Sequence, residues 1–359
     1  MNLEQMGLEG FDLTAKEVKA LEPIIIKEYQ TALTAINKDL RKIYDKVLGD
    51  KSPAQIAALI KANPAFLFTE AAKFNRLTSL EKTVKDIYLK TSLKAANQTV
   101  EAGKLSTINN FFRQQFALDF ASIEPLSFAV LNPSVVEASV LGTTKIWDGL
   151  RKSVQDRIEA TFGNPTKYVP RHGTLSATLI KNRASDLASI KTAINQGLIQ
   201  GKSFTQTAKD VKKVLDGSAS QALRVVRTES GRNMNSGAYA DHKYGLSQGL
   251  DIKRKAIETL DDRTRAQSQF IDGTLTDEND QFTYPGGLKV DIIGNSGVAG
   301  FDINERGRSI EIIDDQPPET RTGRNPVTGK NETMTFKDFD TWAKDNGMVQ
   351  NKTGRWVLK

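Results

Sequence analysis

Apolar residues recur at three- and four-residue steps through most of the first 249 residues, and that rhythm stops at Gly249. Such a period dictates amphipathic helices, each burying one stripe. Val18, Leu21, Ile25, Tyr29, Leu33 and Ile36 form one stripe, predicting a helix from Asp12 to about Val47. Ser52-Pro53 opens another, since proline at the first helical turn forfeits no bond. A long pattern covers about Phe66 to Ala102, and Asn132-Pro133-Ser134 opens a further helix into Val135, Val136 and Val140. Ser203-Phe-Thr-Gln206 is a capping box, in which serine and glutamine satisfy each other's free amides. The helix it opens carries Phe204, Ala208, Val211 and Leu215 on one face and is expected to end at Gly217. A separate helix is expected from Ala219 to Lys243. Its narrow stripe is Ala219, Leu223, Val226, Ser230, Met234 and Gly237, with Arg227 part-buried at the edge.

After Gly249 the runs are short and β-prone: Ile252–Thr259, Lys289–Ile293 and Ser309–Ile313, with Pro285-Gly-Gly as a turn and Asp314-Asp-Gln-Pro-Pro as a stop. Phe336, Phe339 and Trp342 are spaced as on a short helix docking an aromatic face. The fold class read from this is α+β: a mainly helical N-terminal and middle region with a small antiparallel α+β C-terminal module. The expected divisions are 1–143, a helical region; 144–249, a basic helical region; and 250–359, the small module.

Composition removes whole classes of chemistry. The chain has 359 residues, no cysteine and two histidines. Disulfide frameworks, zinc fingers, iron–sulfur clusters and cysteine nucleophiles are therefore excluded. His172 and His242, 70 residues apart, read as ordinary surface or packing histidines. No run nears the roughly 18 apolar residues of a membrane span, and the opening MNLEQMGLEGFDLTAKE lacks the pattern of an export leader. A reducing cytosol, or a particle assembled in it, is the expected setting.

The net charge of +7 is unevenly placed. Residues 151–223 carry 12 basic and 5 acidic groups, whereas the segments on either side are close to balanced. A basic surface suits phosphate backbones or an acidic partner; a solvated helix face is the alternative. Lys202, Lys209, Lys212 and Lys213 are the candidate phosphate-facing group. Without interleaved aromatics, backbone attraction to double-stranded DNA fits them better than base stacking. Gly197-Leu-Ile-Gln-Gly201-Lys202-Ser203 mimics a phosphate-binding loop. It has three residues between its glycines where four are needed, and it follows a helix.

The most informative residues come in order: Arg227-Thr228-Glu229 with Asn235, then Thr259-Leu-Asp261-Asp262-Arg263-Thr264-Arg265, Ile271-Asp272-Gly273, Arg324-Asn-Pro-Val-Thr-Gly329, and the aromatic segment to Trp342. Two readings are open for their charged members. In one, Asp261, Asp262 and Asp272 pair with Arg263 and Arg265, joined by Arg227 and Glu229, as structural ion pairs. In the other, Glu229, Asp261, Asp262 and Asp272 gather Mg²⁺ for phosphodiester cleavage.

This ordered string resembles the phage head-morphogenesis, or minor head, protein family, similar to the F protein of phage Mu. The resemblance covers roughly residues 185–345. It departs from the family in three places: Ala256-Ile-Glu258 replaces the usual tryptophan, Ser268 stands where a histidine is usual, and the Asn-Cys-Arg-Cys pair of many members is absent. The resemblance implies a structural protein, not an enzyme, held at low copy in the procapsid and capsid interior near the portal vertex. Its implied partners are the portal protein, capsid components and possibly packaged double-stranded DNA, with no membrane at assembly. Arg227, Thr228, Glu229, Asn235, Asp261, Arg263, Thr264, Arg265, Asp272, Gly273 and Trp342 are then structural motif residues. No catalytic residue, cofactor or metal is expected. Some family relatives carry a fused ADP-ribosyltransferase-like domain, and the roughly 20 residues after Trp342 are too few for one.

Overall fold

The structure, a computed structural model, describes residues 19–42, 51–62, 132–136, 142–171, 175–200, 202–247, 249–312 and 318–359, with a few single positions between 80 and 139. Its helices in chain order are α1 (Glu22–Lys42), α2 (Pro53–Ala62), α3 (Pro133–Val136), α4 (Lys145–Asp148), α5 (Lys152–Phe162), α6 (Leu175–Ile199) and α7 (Phe204–Ser247). Then follow β1 (Lys253–Ile257), α8 (Ala266–Ile271), β2 (Phe282–Thr283), β3 (Lys289–Val290), α9 (Ala299–Asp302), β4 (Arg308–Ile312) and β5 (Thr320–Arg324). The last elements are β6 (Asn331–Thr335), α10 (Phe339–Asp345), β7 (Val349–Gln350) and β8 (Trp356–Val357). Helices followed by small antiparallel sheets make the α+β class. None of the described helices is long and apolar enough to cross a membrane.

The described residues form two compact units. One is drawn from 19–90 and 175–226, the other from 91–174 and 227–359. The first is a helical bundle with an aliphatic core. Leu21, Ile25, Ala32, Ile36 and Leu40 from α1 and the residue before it pack with Ile190, Ile194 and Leu198 of α6 and Val211, Leu215, Ala222 and Val226 of α7. The capping box at α7 forms as the spacing requires: the Ser203 amide donates to Gln206 Oε1 at 2.9 Å and the Gln206 amide to Ser203 Oγ at 3.3 Å. Ser52 and Gln55 make the same reciprocal pair at α2. Between α6 and α7 the chain turns a corner, with the Lys202 amide bonded to Gly197 O at 2.8 Å.

Gly217 does not end its helix. α7 is a single helix of 44 residues, and the two helices expected on either side of Gly217 are one. A mid-helix glycine costs about 1 kcal/mol, and burial of Val211, Leu215, Ala222 and Val226 on either side outweighs it. The predicted helix 12–47 is observed over Glu22–Lys42; its outer parts, most of the Phe66–Ala102 pattern, Val140 and His172 lie outside the described residues.

In the second unit, β1 and β4 pair antiparallel with Lys253 opposite Ile312 and Ile257 opposite Arg308. β2–β3, β5–β6 and β7–β8 are hairpins. β1, β3 and β4 fall on the three β-prone runs, while β2 and β5 to β8 lie outside them. Val135, Trp147, Ile158, Phe162, Tyr168, Tyr239 and Ile292 form one apolar cluster. Leu260, Phe339, Trp342, Ala343, Met348 and Trp356 form another. Phe339 and Trp342 meet edge to face at 5.2 Å. Phe336 does not join their helix: Asp338 caps α10 by accepting from the Thr341 amide at 2.8 Å, and Phe336 packs instead beside Ile257, Ile310 and Ile312.

Candidate functional site

The motif residues of the second unit converge on buried arginine–carboxylate pairs. Asp272 follows α8 at a turn whose Gly273 has φ +77°, a conformation glycine adopts without strain. Its carboxylate takes two bonds from Arg321, at 2.6 and 2.8 Å, one from the Glu258 amide at 2.7 Å and one from the Phe339 amide at 2.6 Å. The Asp272 side chain has no solvent exposure and that of Arg321 has 2%. This one carboxylate therefore ties β1, β5, α8 and the start of α10, which carries Trp342.

Asp261 holds a second knot. Arg306 grips it bidentately at 2.6 and 2.8 Å, Arg263 adds a bond at 2.8 Å, and the Thr264 hydroxyl donates at 2.9 Å. Burial alone would raise this carboxyl. The hydrogen bonds and charge of Arg306, then Arg263 and Thr264, more than offset that and hold it well below the usual carboxylate range. Arg265 serves a third knot, donating to Glu305 at 2.6 Å and to Phe301 O at 2.8 Å, with Gly300 O as a further acceptor. Ser268, at the position where the family has histidine, donates to the same Glu305 at 3.0 Å.

The α7 motif residues brace the same module. The Glu229 carboxylate pairs with Arg232 at 2.8 Å, and Arg232 also donates to Ser139 O and Tyr168 O. The Asn235 amide group bonds Gly307 O at 2.9 Å and accepts from the Ser309 amide at 3.1 Å, so a helical asparagine closes the edge of β4. Thr228 accepts from the Asn304 amide at 2.9 Å. Arg227 departs from expectation: it is exposed, not part-buried, because Ser230 and Val226 occupy the inward positions of that turn.

Of the predicted pairs between sequence neighbours, Asp261 with Arg263 forms, while Asp272 and Arg265 find their partners far along the chain. Asp272 meets Arg321, not Arg263 or Arg265, and Asp262 is exposed. Single-sequence spacing could not identify Arg306 or Arg321 as the partners. His242 is likewise more than a packing residue. It is buried between Asp280 at 3.3 Å and Glu311 at 3.5 Å. Burial would lower its pKa, but the bonds to both acids raise it overall. Arg254, buried between the rings of Tyr239 and Phe282, also bonds Asp280 at 2.8 Å. Among the described residues, no three histidine, aspartate or glutamate side chains are placed to hold a metal.

The lysine group of the first unit is partly neutralised. Lys202 pairs with Asp210 at 3.0 Å and Lys212 with Asp216 at 2.8 Å. Lys209 and Lys213 are exposed on α7. Gly197 of the phosphate-loop mimic lies inside α6, where a Cβ would fall 2.4 Å from Thr207 Oγ1.

Residues 188–306 match the family model described as Phage Mu protein F like protein. Minor head protein GP7 of Bacillus phage SPP1 is 25% identical over 335 residues, covering 90% of this chain and 98% of that protein. NAD(+)--arginine ADP-ribosyltransferase EFV of Enterococcus faecalis is 32% identical over 178 residues, covering 48% of this chain. The chain spans only 34% of that enzyme's length. No solved structure is significantly similar. The segment bearing the RTE, DDRTR and IDG motifs thus matches the Phage Mu F-like family, and the chain is similar to a phage minor head protein over nine-tenths of its length.

Proposed function

We propose that the chain is a minor head protein of a tailed phage, a structural component and not an enzyme. In this reading it is incorporated at low copy into the procapsid, beside the portal vertex on the inner side, where it contacts the portal protein and packaged DNA. The observation that carries the structural role is the use made of the motif carboxylates. Asp261 and Asp272 each hold a bidentate arginine, and Glu229 holds Arg232. Breaking such buried pairs is expensive, so these groups serve the fold first. Similarity to a minor head protein over nine-tenths of the chain supports the setting.

The DNA contact rests on Lys209 and Lys213, with Lys202 and Lys212 beside them. The competing reading, a Mg²⁺-dependent nuclease, would require Glu229, Asp261, Asp262 and Asp272 to leave their arginines or the surface and share an ion. Isolated procapsids test the proposal. The chain should co-purify with them, and the free protein should leave supercoiled plasmid intact with Mg²⁺ or Mn²⁺. Absence from procapsids, or nicking abolished by Asp261→Ala, would overturn it.

A further inference from the structure

The β5–β6 hairpin leaves one of its two edges open. In the ladder, Thr320 stands opposite Thr335, Thr322 opposite Thr333 and Arg324 opposite Asn331. The Phe336 amide donates to Glu319 O and the Asn325 amide to Lys330 O. Hydrogen-bonded pairs alternate in an antiparallel ladder, so 321–334 and 323–332 are the other pairs of that kind. The Arg324 amide instead turns outward to Leu260 O at 2.8 Å. On β6 the amides and carbonyls of Asn331, Thr333 and Thr335 therefore point away from β5. All three residues are exposed, and among the described residues no strand or bridge pairs with them.

An exposed edge is a template for another strand unless lysine, proline or a bulge blunts it. Asn331-Glu-Thr-Met-Thr335 contains neither lysine nor proline, and its register with β5 has no bulge. The other strands offer no such edge. β2, β3, β7 and β8 are two residues long, and the Ser309 amide of β4 is taken by Asn235.

We propose that β6 pairs antiparallel with β6 of a second copy, about a two-fold axis at Thr333. The outward groups then match without remainder: Asn331 faces Thr335 of the second copy, Thr333 faces Thr333, and six backbone hydrogen bonds form. On one face threonine meets threonine and asparagine meets threonine; on the other Glu332 stands opposite Met334. No like charges are directly opposite, and threonine pairs favour such ladders. About this two-fold axis the sequence sets Glu332 against Met334 rather than against a like charge and threonine against threonine, and this fit is the ground for a second copy over an unrelated strand. The contact is small, so it is weak in dilute solution and best trapped covalently.

The chain has no cysteine, so one introduced thiol reports alone. Across the axis the Thr333 Cα atoms would lie about 5.5 Å apart, within the roughly 4.4–6.8 Å that a disulfide spans. With oxidised glutathione as oxidant, full-length Thr333→Cys should give at least tenfold more covalent dimer than Asn331→Cys or Thr335→Cys alone. An equimolar mixture of Asn331→Cys and Thr335→Cys should cross-link, since those positions face each other. Circular dichroism confirms that each variant is folded. If folded Thr333→Cys stays monomeric, whether the edge is free or taken by another strand, the proposal fails. It fails equally if all three single variants cross-link alike.

Discussion

At Asp272, two guanidinium bonds and two amide bonds meet on one buried carboxylate. Removing it strands Arg321 as an uncompensated charge in the interior, a change that costs about 3–5 kcal/mol. Asp272→Ala should therefore lower unfolding free energy by that order in urea titration, and pairing it with Arg321→Met should recover part of the loss. A change below about 1 kcal/mol would mean that the knot is not structural. Glu258 supplies a pH signature. Burial first, then the charges of Glu305 and Asp272 and a hydrogen bond with Glu305, push its carboxyl well above the ordinary value. A carboxyl raised on folding keeps its proton in the native state, so stability falls as pH rises from about 4.3 through the folded value. Glu258→Gln should flatten the decline in Tm between about pH 5 and pH 8. A slope unchanged from wild type would contradict this. Asp261 acts in the opposite sense, since its depressed value contributes stability above about pH 4 that is lost in acid. His242, raised on folding, contributes fully below about pH 6.5 and less as pH climbs through its folded value.

α7 shows what spacing reveals about an element and what it hides. The Ser203–Gln206 cap was legible because its chemistry is local, and so was the buried run Val226, Ser230, Met234 and Gly237. Glycine favours a helix end and costs about 1 kcal/mol in a helix interior, so a stop is expected at Gly217 and only packing on either side overrules it. Nothing lies within 4 Å of a Cβ built there. Gly217→Ala should stabilise the protein by up to about 1 kcal/mol. Gly197→Ala should destabilise it, since Thr207 already occupies the space, and thermal melts of the two variants should move in opposite directions. The β5–β6 hairpin went unread for another reason. Thr-Arg-Thr-Gly-Arg and Asn-Glu-Thr-Met-Thr have no apolar alternation, and their turn is set by Gly329 at φ +67° and by Asn325 accepting from the Val327 and Thr328 amides. The motif carboxylates stand out in the sequence with both roles open, and their partners Arg306 and Arg321 lie 45 and 49 residues away, beyond any spacing argument.

For the whole molecule, similarity supports the proposed minor-head setting, and the uneven charge is the ground for the proposed DNA contact. Residues 151–223 hold 12 basic against 5 acidic groups; Lys209, Lys212 and Lys213 are exposed on α7, with Lys212 paired to Asp216 and Lys202, just before the helix, paired to Asp210. Lys209→Ala/Lys213→Ala should account for most of the loss of duplex binding seen on replacing all four. It should also reduce the salt slope by about 0.9 for each phosphate contact removed. Unchanged low-salt binding by the quadruple variant would remove DNA from the proposed contacts. The most direct test of the structural role is to count the chain in purified particles by quantitative mass spectrometry, against the portal and major capsid proteins. A minor head protein should be present at a fixed, low number of copies per particle, well below that of the major capsid protein. Particles that lack the chain, while it accumulates free in the host cell, would contradict it.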